Sequence, residues 1–68
     1  MIVDFNGYPL AIRDEVAFPL PVSYKEAHLS IGQVRGFEEF NYVRVEGPDG
    51  KQYVLKSKDL LRLPISLS

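Results

Sequence analysis

Thirteen residues, Val43-Arg44-Val45-Glu46-Gly47-Pro48-Asp49-Gly50-Lys51-Gln52-Tyr53-Val54-Leu55, limit what this chain can become more than any other stretch. Two arms rich in β-formers flank a Gly-Pro-Asp-Gly turn, which is a strong hairpin signal. Val43 and Val45 alternate with Tyr42, Arg44 and Glu46 on the outgoing arm. Tyr53 and Leu55 alternate with Gln52, Val54 and Lys56 on the return. Strand side chains point to opposite faces in turn, so Val43, Val45, Tyr53 and Leu55 form one apolar face that needs a cover. The cover has to come from a short chain: 68 residues make one domain, spanning 1–68. At this size only about 60% of the unfolded surface is buried. Cysteine is absent, which removes disulfides and thiolate metal ligands. Packing and backbone hydrogen bonds must hold the fold.

The remaining segments also read as strands and turns. Residues 1–11 form an N-terminal hairpin extension around Asn6-Gly7, a pair suited to a type I′ turn. Val16 and Phe18 predict a strand that Pro19 and Pro21 bring to an end, because proline cannot donate to a ladder. Val22 to Leu29 is expected to be a long loop, with one helical turn where Ser23-Tyr24-Lys25-Glu26 fits a capping box. Ser30 to Phe37 is the next strand. Gly32 and Gly36 inside it predict a bulge, a bend or close approach of another backbone. Glu38-Glu39-Phe40-Asn41 reads as a turn, Ser57 as the cap of the short turn Lys58-Asp59-Leu60, and Leu61-Arg62-Leu63 as a last strand. Residues 64–68 form a tail in which Ile65 and Leu67 alternate with serines, a pattern able to add a strand to this molecule or a neighbour.

Five short strands in so small a chain predict an all-β barrel, since closure removes exposed edges. The order of features over residues 12–63 resembles the SH3-like barrel superfamily, KOW-like domains included. The resemblance rests on Asp14-Glu15-Val16-Ala17-Phe18, the long loop, Ile31-Gly32-Gln33-Val34, the Gly-Pro-Asp-Gly hairpin, Tyr53-Val54-Leu55, and Lys58-Asp59-Leu60-Leu61-Arg62-Leu63. It implies a small five-stranded SH3-like barrel with a 3₁₀ turn before the last strand, of the kind found in small accessory proteins of bacteria or their phages. The chain departs from the better-defined members. It has no Trp, which peptide-binding SH3 domains carry, and Arg13-Asp14 stands where KOW-like domains begin their first strand with Gly-Asp.

Catalysis is not expected. His28 is the only histidine, no thiol exists, and the serines sit in loops, turns or the tail. The adjacent acids Asp14-Glu15 and Glu38-Glu39 point to opposite faces of a strand rather than forming a dyad. Neither a metal nor a cofactor is expected. The N-terminus lacks a basic run ahead of an apolar core, and no stretch reaches the roughly 20 apolar residues of a membrane span. A cytoplasmic location is the expectation.

Two binding functions remain. The first is a protein-interaction module, with Tyr24, His28, Phe37, Phe40, Tyr42 and Arg44 as partner-binding candidates. Each aromatic has a structural alternative, in which Phe37 and Phe40 plug the barrel ends and Tyr24 folds over the core. The second is a nucleic-acid contact through Arg35, Arg44, Lys51, Lys56, Lys58 and Arg62. Against it stand a net charge of −1, from eight basic and nine acidic residues, and the acids Glu46, Asp49 and Asp59 interleaved with the bases. The halves differ in sign: residues 1–34 hold two bases and four acids, a net of −2, and residues 35–68 hold six bases and five acids, a net of +1. The oligomeric state is left open.

Overall fold

The computed structural model describes residues 1–23 and 26–64, with side chains described outside 21–27. Strands β1 (Glu15–Ser23), β2 (Glu26–Glu38), β3 (Tyr42–Glu46), β4 (Gln52–Lys56) and β5 (Leu61–Arg62) form one antiparallel sheet in the order β4-β3-β2-β1-β5. Short 3₁₀ turns at Glu39–Asn41 and Ser57–Asp59 join β2 to β3 and β4 to β5. No helix among the described residues is long and apolar enough to cross a membrane. The five strands are those expected of the barrel, but the outer strands β4 and β5 do not pair with each other, so the sheet is open among the described residues; the tail at 65–68 lies outside them.

The long loop expected at 22–29 is instead strand at its described residues, 22–23 and 26–29. β1 runs through both prolines, with Pro19 opposite Leu29 and Pro21 opposite Ala27, and β2 has already begun at Glu26. The reason lies in which way each backbone unit faces. Leu63 N–H donates to the Glu15 carbonyl at 2.8 Å, so Glu15, Ala17, Pro19 and Pro21 turn their backbone groups toward the β5 side. β5 pairs only with Val16 and Ala17. The prolines therefore meet an open edge where an N–H has no partner to lose. Ser23 pairs with Glu26 across the ribbon end, so these two residues are strand rather than a capping box. Tyr24 and Lys25 lie outside the described residues.

β2 serves both halves of the sheet. Its residues 26–33 pair with β1 and 33–38 with β3, and only Gln33 is shared by the two ladders. Gly32 sits at this crossing. A Cβ there would meet the Glu46 carbonyl, Val45 Cγ1 and Phe18 Cε1, so the glycine is required by the close approach. Farther along, Arg35 is bulged out between the Val34–Val45 and Gly36–Arg44 pairs. The extra residue shifts the inward face from Val34 to Phe37 and turns Gly36 outward.

The core is Val16, Phe18, Val34, Val43, Val45, Leu10 and Leu60, with Ile2, Leu20, Tyr53 and Leu55 packed against it. Val16, Phe18, Val34, Val43, Val45 and Leu60 are fully buried, each contributing about 1.5–3 kcal/mol relative to exposure. The Tyr53 ring lies 5.9 Å from that of Phe18 at 43°.

The N-terminal hairpin is present as a single bridge, Val3 to Pro9, but its turn is not type I′. Gly7 alone has positive φ, at 86°, whereas type I′ also needs Asn6 there. Asp4 decides the outcome. Its Oδ1 accepts the N–H groups of Asn6 at 2.9 Å and Tyr8 at 2.8 Å, and its Oδ2 accepts Arg62 N–H at 2.8 Å. Only 1% of Asp4 is exposed. With the Phe5 N–H to Leu60 carbonyl bond at 2.8 Å, this carboxylate fastens the hairpin to the last strand. Ser57 lies inside the second 3₁₀ turn rather than capping it with its side chain; Leu60 N–H closes the turn on the Ser57 carbonyl at 3.1 Å.

Candidate partner-binding surface

Cross-strand pairing sorts the candidates by face. Tyr42 pairs with Glu38 and Lys56, and Arg44 with Gly36 and Val54. Directly opposed residues share a face, so Glu38, Tyr42, Arg44, Val54 and Lys56 all stand on the outer side of β2-β3-β4. Gly36 leaves a bare strip of backbone on that face, and the Arg44 guanidinium occupies the space a Cβ at Gly36 would take. The Arg44 Nε is buried with no hydrogen-bond partner, and its Nη1 lies 4.0 Å from Glu38 Oε2.

The first 3₁₀ turn carries the most unusual residue. Phe40 has φ 61° and ψ 35°, and Asn41 follows at φ 63°. Asparagine accepts the left-handed region readily, but for phenylalanine the Cβ contact costs about 1–2 kcal/mol. The ring contributes little to the core in return, since Phe40 is 87% exposed. It does not plug the end of a barrel. Phe40, Asn41, Lys56, Ser57 and Lys58 line a hollow of about 250 Å³. On the other side of the turn, Glu38, Glu39, Tyr42 and Val54 line a second, of about 510 Å³.

The other candidates are scattered. Phe37 is 37% exposed and shares a hollow of about 300 Å³ with Met1, Ile2 and Leu10, on the inward side of the sheet. His28 is exposed on β2 opposite Leu20, far along the ribbon from Phe40. Tyr24 lies outside the described residues.

The six basic residues do not converge either. Arg35 pairs with Glu46 at 3.2 Å and Arg62 with Asp14 at 3.7 Å, while Arg44 faces Glu38. Lys51 precedes β4 and Lys56 ends it, and Arg62 lies on β5 at the other side of the sheet. Only Lys56 and Lys58 gather around one hollow, and the ion pairs of the described residues use neither.

At the far hairpin, Asp49 accepts Lys51 N–H at 3.0 Å and the Tyr53 hydroxyl at 2.8 Å. The Lys51 bond, with help from Tyr53, holds the Asp49 carboxyl below its usual 3.8. The carboxylate in turn raises the Tyr53 hydroxyl above its usual 10.0. These shifts follow from the turn and mark no reactive group. No cluster of three potential metal ligands occurs among the described residues.

Sequence reasoning singled out Phe40 as an aromatic beside a turn but gave no reason to prefer it to Phe37. Lys56 is brought beside it by the pairing of Tyr42 with Lys56, a contact between residues distant in sequence. Compared with known proteins, the chain matches no family model, no curated protein and no solved structure.

Proposed function

We propose that this chain is a non-catalytic binding module that docks a protein partner at the end of the sheet formed by Phe40, Lys56 and Lys58. The observation that carries the reading is the Phe40 ring, exposed on a backbone conformation that phenylalanine disfavours. A residue that costs stability and returns no packing has a reason outside the fold. The ring offers an apolar anchor, and the two lysines beside it add positive charge that no ion pair among the described residues uses. The complementary partner segment presents an apolar side chain next to an Asp or Glu. A strand of nucleic acid, with bases stacked on Phe40 and phosphates on the lysines, is the competing ligand. Glu39 and Asp59 flank the same residues in sequence, and their charge opposes a continuous phosphate backbone. The strand order and the division of β2 between two ladders support the finer reading of the fold as an SH3-like barrel.

Peptide display on the immobilised domain tests the proposal, with Phe40→Gly and Lys56→Glu/Lys58→Glu as counter-targets. Wild type is expected to enrich peptides with an apolar residue beside an acid, and both variants to lose them. Equal enrichment on wild type and Phe40→Gly would refute the docking site. Retardation of single-stranded oligonucleotides at low salt, abolished by Phe40→Gly, would hand the site to nucleic acid instead.

A further inference from the structure

The sheet has two unequal edges. Along β1 beyond Ala17, the positions whose backbone faces outward are Pro19 and Pro21, neither of which carries an N–H. That edge is closed to another strand by chemistry. β4 has no such protection. Gly47 N–H donates to the Lys51 carbonyl at 2.8 Å, which sets the alternation: Lys51, Tyr53 and Leu55 turn their backbone groups toward β3. Gln52, Val54 and Lys56 therefore turn theirs outward, away from the sheet, on a strand with no neighbour on that side among the described residues. All three side chains are exposed, with Val54 at 53%.

We propose that β4 pairs antiparallel with β4 of a second copy of this chain, about a two-fold axis through Val54. The strand is complementary to itself in this register. Val54 meets Val54 of the second copy, and each Gln52 meets a Lys56, so no like charges face each other on the outer side. On the inner side each Tyr53 meets a Leu55, and both residues are half-buried in the single chain, leaving a flank for the partner to cover. All three outward-facing residues sit in hydrogen-bonded pairs, which use the open N–H and carbonyl groups of Gln52, Val54 and Lys56 on each copy. A slip of one residue would pair outward-facing groups with groups already committed to β3 and turn Val54 against the inner face. Such an interface is isologous and closes at two copies. The product is a continuous ten-stranded sheet whose ends are the proline-bearing ribbons and the short β5 strands.

Sedimentation velocity from micromolar to millimolar concentration, together with amide exchange, tests the proposal. Wild type is expected to pass from monomer to dimer within this range, and the Gln52, Val54 and Lys56 amides to become protected as it does. Val54→Pro removes one outward N–H per copy without touching a bond inside the fold, and should weaken the dimer by about thirty-fold or more. Val54→Lys keeps the backbone intact but opposes two like charges at the axis, and should also give a folded monomer. A wild type that stays monomeric throughout overturns the proposal. So does a dimer that forms while those three amides still exchange freely, or one that Val54→Lys leaves at wild-type affinity.

Discussion

The molecule contains the same turn twice, used in two different ways. In Asp4-Phe5-Asn6-Gly7-Tyr8 and in Gly47-Pro48-Asp49-Gly50-Lys51 the first N–H donates to the fifth carbonyl, at 2.9 and 2.8 Å. The fourth N–H donates to the first carbonyl at 3.0 Å in both. The fourth residue is glycine with φ of 86° and 82°. This is the three-residue hairpin loop in which a type I turn is followed by a left-handed residue. The carboxylates separate them. Asp49 is exposed and binds only groups within four residues, Lys51 N–H and the Tyr53 hydroxyl. Asp4 is buried and reaches Arg62, 58 residues away. One turn is a local device at the tip of a ribbon. The other is a clasp between the two ends of the described chain, and its strength depends on tertiary structure.

The largest effect is expected at Asp4. Asp4→Ala leaves the N–H groups of Asn6, Tyr8 and Arg62 without their acceptor. It should destabilise the protein by about 3 kcal/mol or more in urea unfolding, with the amides of residues 2–10 and 61–62 losing exchange protection together. A loss confined to residues 4–8 would mean the clasp does not exist.

The glycines test the shared part. A Cβ meets nothing within 4 Å at Gly7 or Gly50, so only the left-handed backbone is at stake. Gly7→Ala and Gly50→Ala should each cost about 1–2 kcal/mol, and the two values should agree. A large disagreement would show that the turns are not equivalent.

Asp49→Asn should cost less than either glycine change, because the carboxylate it removes is exposed and acts only on its own turn. Its pH dependence has a definite sign. The Asp49 carboxyl is held low, so its contribution is present above pH 3.8 and fades as pH falls through its lowered value. The Tyr53 hydroxyl is held high, so its contribution is complete below pH 10.0 and fades as pH rises through its raised value. The stability difference between wild type and Asp49→Asn should be flat between these limits and shrink outside them. Tyr53→Phe should remove the alkaline part and reduce the acid part, leaving the share that the Lys51 N–H bond supplies.

The smallest expected change is a gain. Arg13 has φ of 80° just ahead of β1, a backbone conformation that favours glycine. Arg13→Gly relieves that backbone at the expense of a more flexible unfolded chain, and should raise stability by up to about 1 kcal/mol. A fall in melting temperature would contradict this account.

Local chemistry made much of the fold legible. The Gly-Pro-Asp-Gly turn and the inward set Val43, Val45, Tyr53 and Leu55 follow from steric rules that act within a few residues, while Gly32 and Gly36 were legible as special positions whose neighbours, Phe18, Arg44, Val45 and Glu46, only the fold supplies. The errors share one cause. Pro19 and Pro21 read as the end of a strand because proline lacks a donor, yet whether a missing donor matters depends on which neighbour lies beside it. Asn6-Gly7 read as a type I′ turn because its own propensities allow it, but the Asp4 carboxylate selects another. The candidate site was legible as a set of aromatic and basic residues and not as a place. Side-chain type fixes what Phe40, Lys56 and Lys58 can bind, while only strand pairing brings them to one hollow.

Alternation and turn chemistry, written in the amino-acid order, determine that this chain makes short antiparallel strands with one apolar face. The open edge at β4, the harmless prolines of β1 and the far-reaching bond of Asp4 were decided only when the strands assembled. Each depends on which backbone group faces which neighbour, and that relation does not exist until the neighbours are in place.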